Sequence, residues 1–209
     1  MSIYERYEML NAVKTGIEDA KITMIKSFKA KGKLLLCGNG GSCADCEHIV
    51  GELMKGFMSK RSLSEEQKLL MINNAPDIDR EWLCRLQGAL PAIALPSAAA
   101  LNSAFCNDVD PELIYAQQLM GLGNKEDVLF CISTSGNSKN VCAAATVGKA
   151  LGITVIGLTG ESGGRLKGIA DICICVPETE TYKVQELHLP VYHYLCAEIE
   201  KYFFGGEGN

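Results

Sequence analysis

The sequence has little of what marks a membrane protein or a nucleic-acid-binding protein. Every apolar stretch is interrupted by Gly, Pro or a polar residue well before the ~20 residues that a membrane-spanning helix requires. Its 20 basic and 25 acidic residues give a net charge of -5, and no block of like charge is present that would follow a phosphate backbone or an anionic membrane surface. We therefore expect neither a nucleic-acid nor a membrane partner, and any phosphate should be bound locally.

The beginning of the sequence, MSIYERYEML, lacks the basic, apolar and small-residue regions of a secretory signal peptide. Ten cysteines would suggest disulfides in a small secreted domain, but here they lie in apolar runs typical of strands and helices. Such placement indicates buried thiols. We therefore expect a cytoplasmic protein.

One cysteine pair, Cys43 and Cys46, has the C-x-x-C spacing of a redox pair or of half a zinc site. No second C-x-x-C is present to complete a four-thiolate site, and the pair lies in a helical pattern rather than in a zinc-ribbon turn. Packing within a helix is the prediction for both thiols.

A chain of 209 residues fits one α/β domain, here 1–209, and is short for two domains. Five β-rich runs are nearly continuously apolar, and each is followed by turn residues and a helical pattern; they cover 33–37, 92–95, 128–133, 153–158 and 172–176. Strands buried on both faces show such runs instead of alternation. The sequence therefore predicts an open three-layer α/β/α sandwich around a parallel sheet.

Two helical segments accompany these repeated units. Residues 3–30 have apolar groups at helical spacing and no Pro, which predicts one long helix before the first strand. Residues 59–88 are long for a connection in an α/β unit and combine short helical patterns with charged turns, which indicates a helical insertion. We expect Trp82, Leu83 and Leu86 to form the apolar side of this segment and to pack against another surface. A surface decoration, a pocket mouth and an oligomer contact all fit this segment.

The turn GNGGS at 38–42 follows the first predicted strand and opens a helix. In an open parallel sheet such turns lie at the carboxyl ends of strands, where the next helix directs free N–H groups and its positive dipole end at ligands. Cys43 replaces the third glycine of G-x-G-x-x-G, and no G-x-x-x-x-G-K-[ST] occurs, so dinucleotide and ATP sites lose their main support. The GNGGS pattern is consistent with a phosphate site. It is equally consistent with a tight turn that binds no ligand.

A second turn, STSGNS at 133–138, follows the third predicted strand and places five hydroxyl or amide side chains around one glycine. Hydroxyls and backbone N–H groups satisfy phosphate oxygens without Lys or Arg. A helix N-cap needs one such residue, so five favour a phosphate site over simple capping. The turn LTGESGGR at 158–165 has fewer hydroxyls, and we interpret it as mainly structural.

The three histidines of the chain lie in two helical patterns. His48 and Glu52 are four residues apart and share a helix face downstream of GNGGS, although an ordinary surface pair has the same spacing. Gln185, His188 and His193 lie in VQELHLPVYHYL, which begins the last helical pattern. Gln185 and His193 are about two turns apart, which places them on a shared face. Spacing alone leaves each of them open to a structural role.

In combination these motifs resemble those of a known family. GNGGS-x(5)-H-x(3)-E-L, the pair Asn107-Asp108, STSGNS-x-N and VQE-x-H-x(4)-H are similar to the sugar isomerase (SIS) domain and, within it, to the phosphoheptose isomerases. The resemblance implies a flavodoxin-like fold with a five-stranded parallel sheet, a homotetramer with active sites at subunit contacts, a zinc cofactor and a phosphorylated sugar substrate. The implied reaction converts sedoheptulose 7-phosphate to D-glycero-D-manno-heptose 7-phosphate.

The resemblance also implies roles for individual residues. The implied acid/base residues are Glu52 and His193. The implied zinc ligands are His48, Glu52, Gln185 and His193. The implied phosphate contacts are Ser133, Thr134, Ser135 and Ser138. The implied sugar contacts, with Ser42 of the first loop, are Asn39, Gly40, Gly41, Asn107, Asp108 and Gln185. Moving a carbonyl between neighbouring carbons needs a base, an acid and stabilisation of an enediolate, and these residue types supply them.

Two departures from the family pattern bear on the substrate: the 59–88 segment, and Lys183 where an arginine is common. An isomerase for another phosphosugar is therefore one alternative. A second is a non-catalytic regulator of the same fold that binds the bacterial replication initiator. That regulator lacks counterparts of Glu52 and His193, so their presence favours an enzyme.

Overall fold

The computed structural model describes residues 2–205, and residue 1 and residues 206–209 of the expected 1–209 domain lie outside that part. The sheet is parallel throughout, with strand order β2-β1-β3-β4-β5. This is the flavodoxin-like order. All five predicted strands are confirmed: β1 (Leu34–Gly38), β2 (Ala92–Ala94), β3 (Val128–Ser133), β4 (Thr154–Thr159) and β5 (Ile172–Cys175).

Helices cover both faces of this sheet. Within residues 2–205, no helix combines the length and the apolar character that crossing a bilayer requires. Short 3-10 helices occupy Glu8–Val13, Leu95–Ser97 and Pro111–Leu113. The α-helices are α1 (Ile3–Arg6), α2 (Lys14–Lys29), α3 (Gly41–Met54), α4 (Glu65–Asn74), α5 (Arg80–Arg85), α6 (Ala99–Asp108), α7 (Ile114–Leu122), α8 (Lys139–Ala150), α9 (Gly164–Lys167) and α10 (Thr181–Phe204).

Alternate side chains of each strand enter two apolar clusters, one on each face of the sheet. Leu34 and Leu36 of β1 pack in a cluster with residues of α2, α3 and α10. Leu35 and Cys37 pack in the other cluster, with residues of α7 and α8. Because strand side chains alternate between faces, a strand covered on both sides must be apolar at every position. This confirms the three-layer sandwich.

The strand register sets the two predicted ligand loops side by side. β1 and β3 are neighbours in the sheet, and Gly38 at the end of β1 pairs with Ile132 near the end of β3. The loops that follow both strands therefore leave the same edge of the sheet, next to each other, ahead of α3 and α8.

The N-terminal segment is not the single helix expected over 3–30. The chain leaves α1 at Tyr7, with φ -126° and ψ 74°, and passes through a 3-10 helix before α2. The side-chain amide of Asn11 donates to the carbonyls of Tyr4 and Glu8, at 3.1 and 2.8 Å. Asn side chains compete in this way with helical backbone hydrogen bonds. The spacing of apolar residues does not reveal this competition.

The segment at 59–88 is helical as expected, with α4 and α5 between its ends, and an antiparallel bridge joins Ser62 to Gln87. Leu83 is buried, but Trp82 and Leu86 are 59% and 47% exposed. Within this chain only Leu83 docks as expected, and burial of Trp82 and Leu86 in an oligomer contact stays a prediction. A six-residue helix such as α5 turns too few side chains toward one neighbour to bury all three.

Candidate active site

The GNGGS loop forms a shaped turn between β1 and α3. Gly40 has φ 55°, a left-handed conformation that favours glycine, and it directly precedes the first helical residue. The Asn39 side chain is fixed by a reciprocal amide pair with Asn140, at 2.8 and 3.0 Å. The Tyr115 hydroxyl lies 3.0 Å from the Asn39 oxygen and 2.8 Å from the Gly38 carbonyl. The predicted ligand loop is therefore held rigidly from α7 and α8.

The STSGNS loop keeps its hydroxyls close together at the start of α8. Ser133 and Ser138 lie 3.1 Å apart through their hydroxyl oxygens, and Ser138 precedes α8 without making a capping bond. Ser135 accepts a hydrogen bond from the Asn137 N–H at 3.2 Å. Ser138 therefore does not cap α8 with its side chain, and among the described residues the one side-chain acceptor in the first turn is Asn140, which accepts from the Val141 N–H at 2.9 Å.

The LTGESGGR turn supports the STSGNS loop, as its structural interpretation predicts. The Gly160 N–H donates to the Thr134 carbonyl and the Leu166 N–H donates to the Gly136 carbonyl, each at 2.9 Å. Gly136 has φ 65°, and a Cβ there would lie 2.0 Å from the Gly163 carbonyl oxygen. Only glycine allows the two turns to pack this closely.

Helices α3 and α10 run side by side in the same direction. At the start of α3, a Cβ on Gly41 would lie 2.1 Å from the amide nitrogen of Gln185. Further along, the ring of His48 meets the ring of Tyr192, with centroids 5.5 Å apart. This parallel packing carries both predicted helical motifs along one shared groove.

The groove brings together three of the four residues expected to bind zinc. His48 Nε2 lies 3.1 Å from Glu52 Oε1 and 3.5 Å from His193 Nε2. The two imidazole rings are edge to face, with centroids 5.0 Å apart. Glu52 also accepts a hydrogen bond from Lys55 at 3.2 Å. The His48–Glu52 pair is thus part of a larger cluster, not an isolated surface pair.

The electrostatic surroundings keep His193 neutral. Burial lowers the pKa of His193, and the positive charge that His48 would carry lowers it further, while Glu52 partly opposes both effects. A neutral imidazole near pH 7 is able to accept a proton or to offer a lone pair.

The donor types of this cluster fit zinc, which binds His nitrogen and carboxylate oxygen. Bonds near 2.0 Å place two ligands of a tetrahedral ion roughly 3.3 Å apart. The two measured separations, 3.1 and 3.5 Å, are close to that spacing. As it stands, however, no group of three or more His, Cys, Asp and Glu side chains within residues 2–205 is arranged as a complete metal site. Zinc therefore stays a prediction.

Gln185 lies apart from the two histidines. Its amide is next to Gly41, whereas His193 is eight residues further along α10, a rise of about 12 Å. Within the described residues, no hydrogen bond joins Gln185 to His48, Glu52 or His193. Its position beside the GNGGS loop agrees with the expected sugar contact, and its metal role stays a prediction.

Asn107 and Asp108 end α6 and are exposed. The Asn107 amide donates to the Asp108 carboxylate at 2.8 Å. Across residues 2–205 neither side chain has a hydrogen bond to another expected site residue, so the structure does not bring this pair into the cluster.

A cavity of about 270 Å³ opens beside His193. It lies between the N-terminal segment and α10, and its walls include Arg6, Phe57 and Tyr194. One side of the imidazole is therefore accessible while the other side faces His48.

Three contributors were not found by sequence reasoning, Asp45, Tyr115 and Tyr192, and Asn140 was noted only as the last residue of STSGNS-x-N, without a role. Tyr192 contacts His48 and Asp45, and Tyr115 and Asn140 hold Asn39. Asp45 is three residues before His48, so helical spacing offered a signal for Asp45, whereas Tyr192, which directly precedes His193, offered none. Tyr115 gave no signal, since only the fold brings α7 to the loop.

Comparison with known proteins identifies the family. A model of the SIS domain matches residues 5–88 and 83–160, and the first of these ranges includes the 59–88 segment. The phosphoheptose isomerase of Nitratiruptor sp. is 38% identical over 187 residues, which cover 90% of this chain and 86% of the relative. The Helicobacter pylori phosphoheptose isomerase is 34% identical over 194 residues, covering 93% and 88%.

The chain belongs to the phosphoheptose isomerase family of SIS-domain proteins. Solved structures agree with this membership. The phosphoheptose isomerase GmhA of Neisseria gonorrhoeae has a TM-score of 0.75 and 29% identity, covering 94% of this chain and 91% of its own. The phosphoheptose isomerase of Francisella tularensis has a TM-score of 0.74 and 31% identity, covering 94% and 90%. As a member of the phosphoheptose isomerase family, the chain is an isomerase, and the regulator alternative is not favoured.

Proposed function

We propose that the chain converts sedoheptulose 7-phosphate to D-glycero-D-manno-heptose 7-phosphate. The observation that carries the proposal is the convergence of His48, Glu52 and His193 from two parallel helices, with His48 within hydrogen-bonding distance of both Glu52 and His193. A carboxylate and a neutral imidazole are the pair that an aldose–ketose proton transfer requires. Family membership supplies the substrate class.

The phosphate would bind to the STSGNS loop, through the hydroxyls of Ser133, Thr134, Ser135 and Ser138. Support comes from the start of α8 beside them, where Ser138 makes no capping bond, since the N–H groups and the positive end of the helix dipole at a helix N-terminus favour a dianion. The sugar hydroxyls would meet Asn39, Gly40, Gly41, Ser42 and Gln185 across the adjoining loop, with Asn107 and Asp108 as the more distant candidates.

The chemistry would be divided between two side chains. In our proposal the Glu52 carboxylate removes the proton from C1 of the ketose and returns it to C2. The neutral imidazole of His193 transfers a proton between the oxygens on C2 and C1, so the net change is the exchange of carbonyl and hydroxyl positions. If zinc is bound, by His48, Glu52, Gln185 and His193, it would supply polarisation of the carbonyl.

We further propose a single domain, a homotetramer and a cytoplasmic location. Both apolar clusters pack on one sheet, which supports a single domain. Exposed apolar side chains on α6 and α7, such as Leu101 and Met120, support a subunit contact. Ten unpaired thiols support a reducing compartment. Sedimentation of the purified protein tests the tetramer.

The direct test is to incubate the purified protein with zinc and sedoheptulose 7-phosphate and to follow formation of the aldoheptose phosphate. We expect interconversion that is faster than with ketohexose or ketopentose phosphates offered at equal concentration. Activity confined to one of those other phosphosugars would assign the protein a different substrate, and no turnover of any of them would end the proposal.

Glu52→Gln tests the proposed base. Turnover should fall by at least about 10²-fold, since a neutral amide does not accept a carbon-bound proton. Binding of the phosphosugar should stay within about twofold, because the STSGNS loop is untouched. The matched control is Glu47→Gln on the same helix, whose carboxylate accepts a hydrogen bond from Ser97. Equal loss in both variants would show that Glu52 is not the base.

A further inference from the structure

The two ring nitrogens of His48 face different surroundings. Nε2 points toward the cluster, 3.1 Å from Glu52 and 3.5 Å from His193. Nδ1 points away from it, 3.1 Å from the hydroxyl of Tyr192 on α10. A neutral imidazole carries one proton, so the partner at Nδ1 decides what Nε2 offers to the cluster.

The Tyr192 hydroxyl has a second neighbour, the Asp45 carboxylate, at 3.2 Å from Oδ1. Asp45 lies one turn before His48 on α3. An ionised carboxylate only accepts hydrogen bonds. Within residues 2–205 its other oxygen is buried without a partner, so the Tyr192 hydroxyl is the donor available to this carboxylate. Leaving a half-buried carboxylate without any donor from the protein is costly, so the single Tyr192 proton belongs on the Asp45 side.

With its proton directed at Asp45, the Tyr192 oxygen presents a lone pair to His48 Nδ1. We propose that Tyr192, oriented by Asp45, is a positioning residue that holds His48 as the Nδ1–H tautomer and aims its Nε2 lone pair at Glu52 and His193. In the opposite tautomer, His48 Nε2–H would donate to Glu52. Glu52, however, already accepts a hydrogen bond from Lys55 at 3.2 Å. Asp45 has no such substitute.

The packing keeps Tyr192 in this role. Its side chain is 2% exposed, and its ring stands edge-on to both His48 and His193, with centroids 5.5 and 5.0 Å away. The hydroxyl is therefore fixed between the two helices. Histidines that bind metals commonly donate their second ring N–H to an oxygen acceptor, which sets both tautomer and ring orientation.

The tautomer itself does not depend on the identity of the substrate. Only its use, a lone pair supplied to a metal ion, rests on the proposed function. The two therefore need separate measurements, one on the metal-free protein and one on metal binding.

The first experiment is long-range ¹H–¹⁵N NMR of the metal-free, ¹⁵N-labelled protein at about pH 8, where an unperturbed imidazole is neutral. The chain has three histidines, so the ring signals are few, and His48→Gln assigns them. We expect His48 with a protonated Nδ1 and an unprotonated Nε2. An Nε2–H tautomer in the unmodified protein would overturn the inference.

Two variants separate positioning from simple packing. Tyr192→Phe keeps the ring but removes the acceptor, so the proton should move to Nε2, where Glu52 accepts it. Asp45→Ala should also move it there, although Asp45 does not touch His48, because the freed hydroxyl then donates to Nδ1. Tyr194→Phe is the matched control on the same helix, since its hydroxyl donates to Glu18 at 2.7 Å, and it should leave the tautomer unchanged. If Tyr192→Phe leaves it unchanged too, the inference fails.

The second experiment titrates each metal-free protein with zinc and, as a spectroscopic probe, cobalt(II). We expect Tyr192→Phe to weaken binding about tenfold or more, and Tyr194→Phe to change it less than about twofold. An unaltered affinity in Tyr192→Phe would count against the positioning role. Inactivity of the unmodified protein on sedoheptulose 7-phosphate would instead remove the proposed function and leave the tautomer result standing.

Discussion

At the scale of single residues, burial separates three histidines that the sequence leaves alike. His48 and His193 reach the candidate site, whereas His188 is fully buried on the inner side of α10. Among the described residues neither of its ring nitrogens has a well-formed hydrogen bond. Burial lowers the pKa of His188 to about 4, and the nearby Thr159 backbone opposes only part of that shift. The imidazole is therefore held neutral inside the core.

His188 should make the fold sensitive to acid. Its pKa is about 4 in the folded chain and 6.5 in the unfolded chain, so the unfolded state takes up the proton first as pH falls. Stability from this group is complete above pH 6.5 and is lost as pH falls toward 4. The free energy of unfolding should decrease by about 3 kcal/mol across that range. Urea unfolding at a series of pH values measures it.

The variant His188→Leu provides the comparison, because leucine fills a similar volume without a titrating group. Its unfolding free energy should vary less between pH 6.5 and pH 4 than that of the unmodified protein. His193→Gln, a change at a half-exposed position, should keep most of the original dependence. Parallel pH profiles for the unmodified protein and His188→Leu would show that His188 is not the source.

Residue types and spacing identified the loops, and the family resemblance identified the four candidate side chains, but neither identified the groups that orient them. His48 and Glu52 are i, i+4 neighbours, so their contact follows from helical geometry. Tyr192 reaches His48 only because α3 and α10 pack in parallel with one particular register. That register depends on long-range packing, which no local pattern encodes.

At the scale of elements, a buried ion pair ties the end of α3 to α10. Arg61 donates to Glu200 at 2.6 Å and also to the carbonyls of Leu53 and Glu52 near the end of α3. The side chains of both charged residues are at most 3% exposed. Arg61 thus satisfies helix carbonyls that have no partner within α3, on the turn that carries Glu52.

Glu200 holds a second set of contacts, from the backbone N–H groups of Phe57 and Met58 at 2.8 and 2.6 Å. Burial alone would raise the pKa of Glu200, but these N–H groups and Arg61 lower it on balance. Each of these N–H groups donates to the Glu200 carboxylate. A glutamine amide in its place would turn its own N–H group toward one of them, so that two donors would face each other.

Glu200→Gln should therefore destabilise the fold by about 3 kcal/mol, since it leaves the buried Arg61 guanidinium without its counter-ion. Thermal unfolding followed by circular dichroism measures the loss. Glu81→Gln breaks the exposed pair with Arg85 and should cost less than about 1 kcal/mol. Similar shifts in the two variants would mean that burial does not strengthen the Arg61–Glu200 pair.

Helices and strands were predictable where one pattern of apolar residues dominates the sequence. Strands buried on both faces, such as β3, are continuously apolar and were located within a residue or two. The N-terminal helix was overextended because the Asn11 side chain competes for backbone carbonyls, an interaction that the apolar pattern does not contain. The exposure of Trp82 depends on where α5 lies against the rest of the chain, which its own sequence does not specify.

At the scale of the whole molecule, the parallel sheet follows from the sequence because each strand run is followed by a turn and a helix. That order forces the GNGGS and STSGNS loops to one edge of the sheet. The two apolar clusters then enclose thiols on both faces: Cys46 and Cys196 lie in one, and Cys37 and Cys131 in the other. Burial raises the pKa of the Cys46 thiol and raises that of Cys196 to about 12.

Thiol reactivity should therefore report on the folded state as a whole. All ten cysteines are free, with Cys84 and Cys106 exposed and five others buried. With a disulfide reagent under native conditions, we expect these two exposed thiols to react fastest, because a buried thiol with a raised pKa supplies little thiolate. The buried thiols should react only at the rate of opening of the core, and all ten should react in denaturant without prior reduction.

A variant with Cys84→Ser and Cys106→Ser is the control for that assignment. It should lose the fast phase and keep the slow phase at an unaltered rate, because neither residue belongs to the apolar clusters. Fewer than ten reactive thiols in the denatured, unreduced protein of unmodified sequence would reveal a disulfide. A single uniform rate for all thiols under native conditions would mean that burial in the two clusters does not protect them.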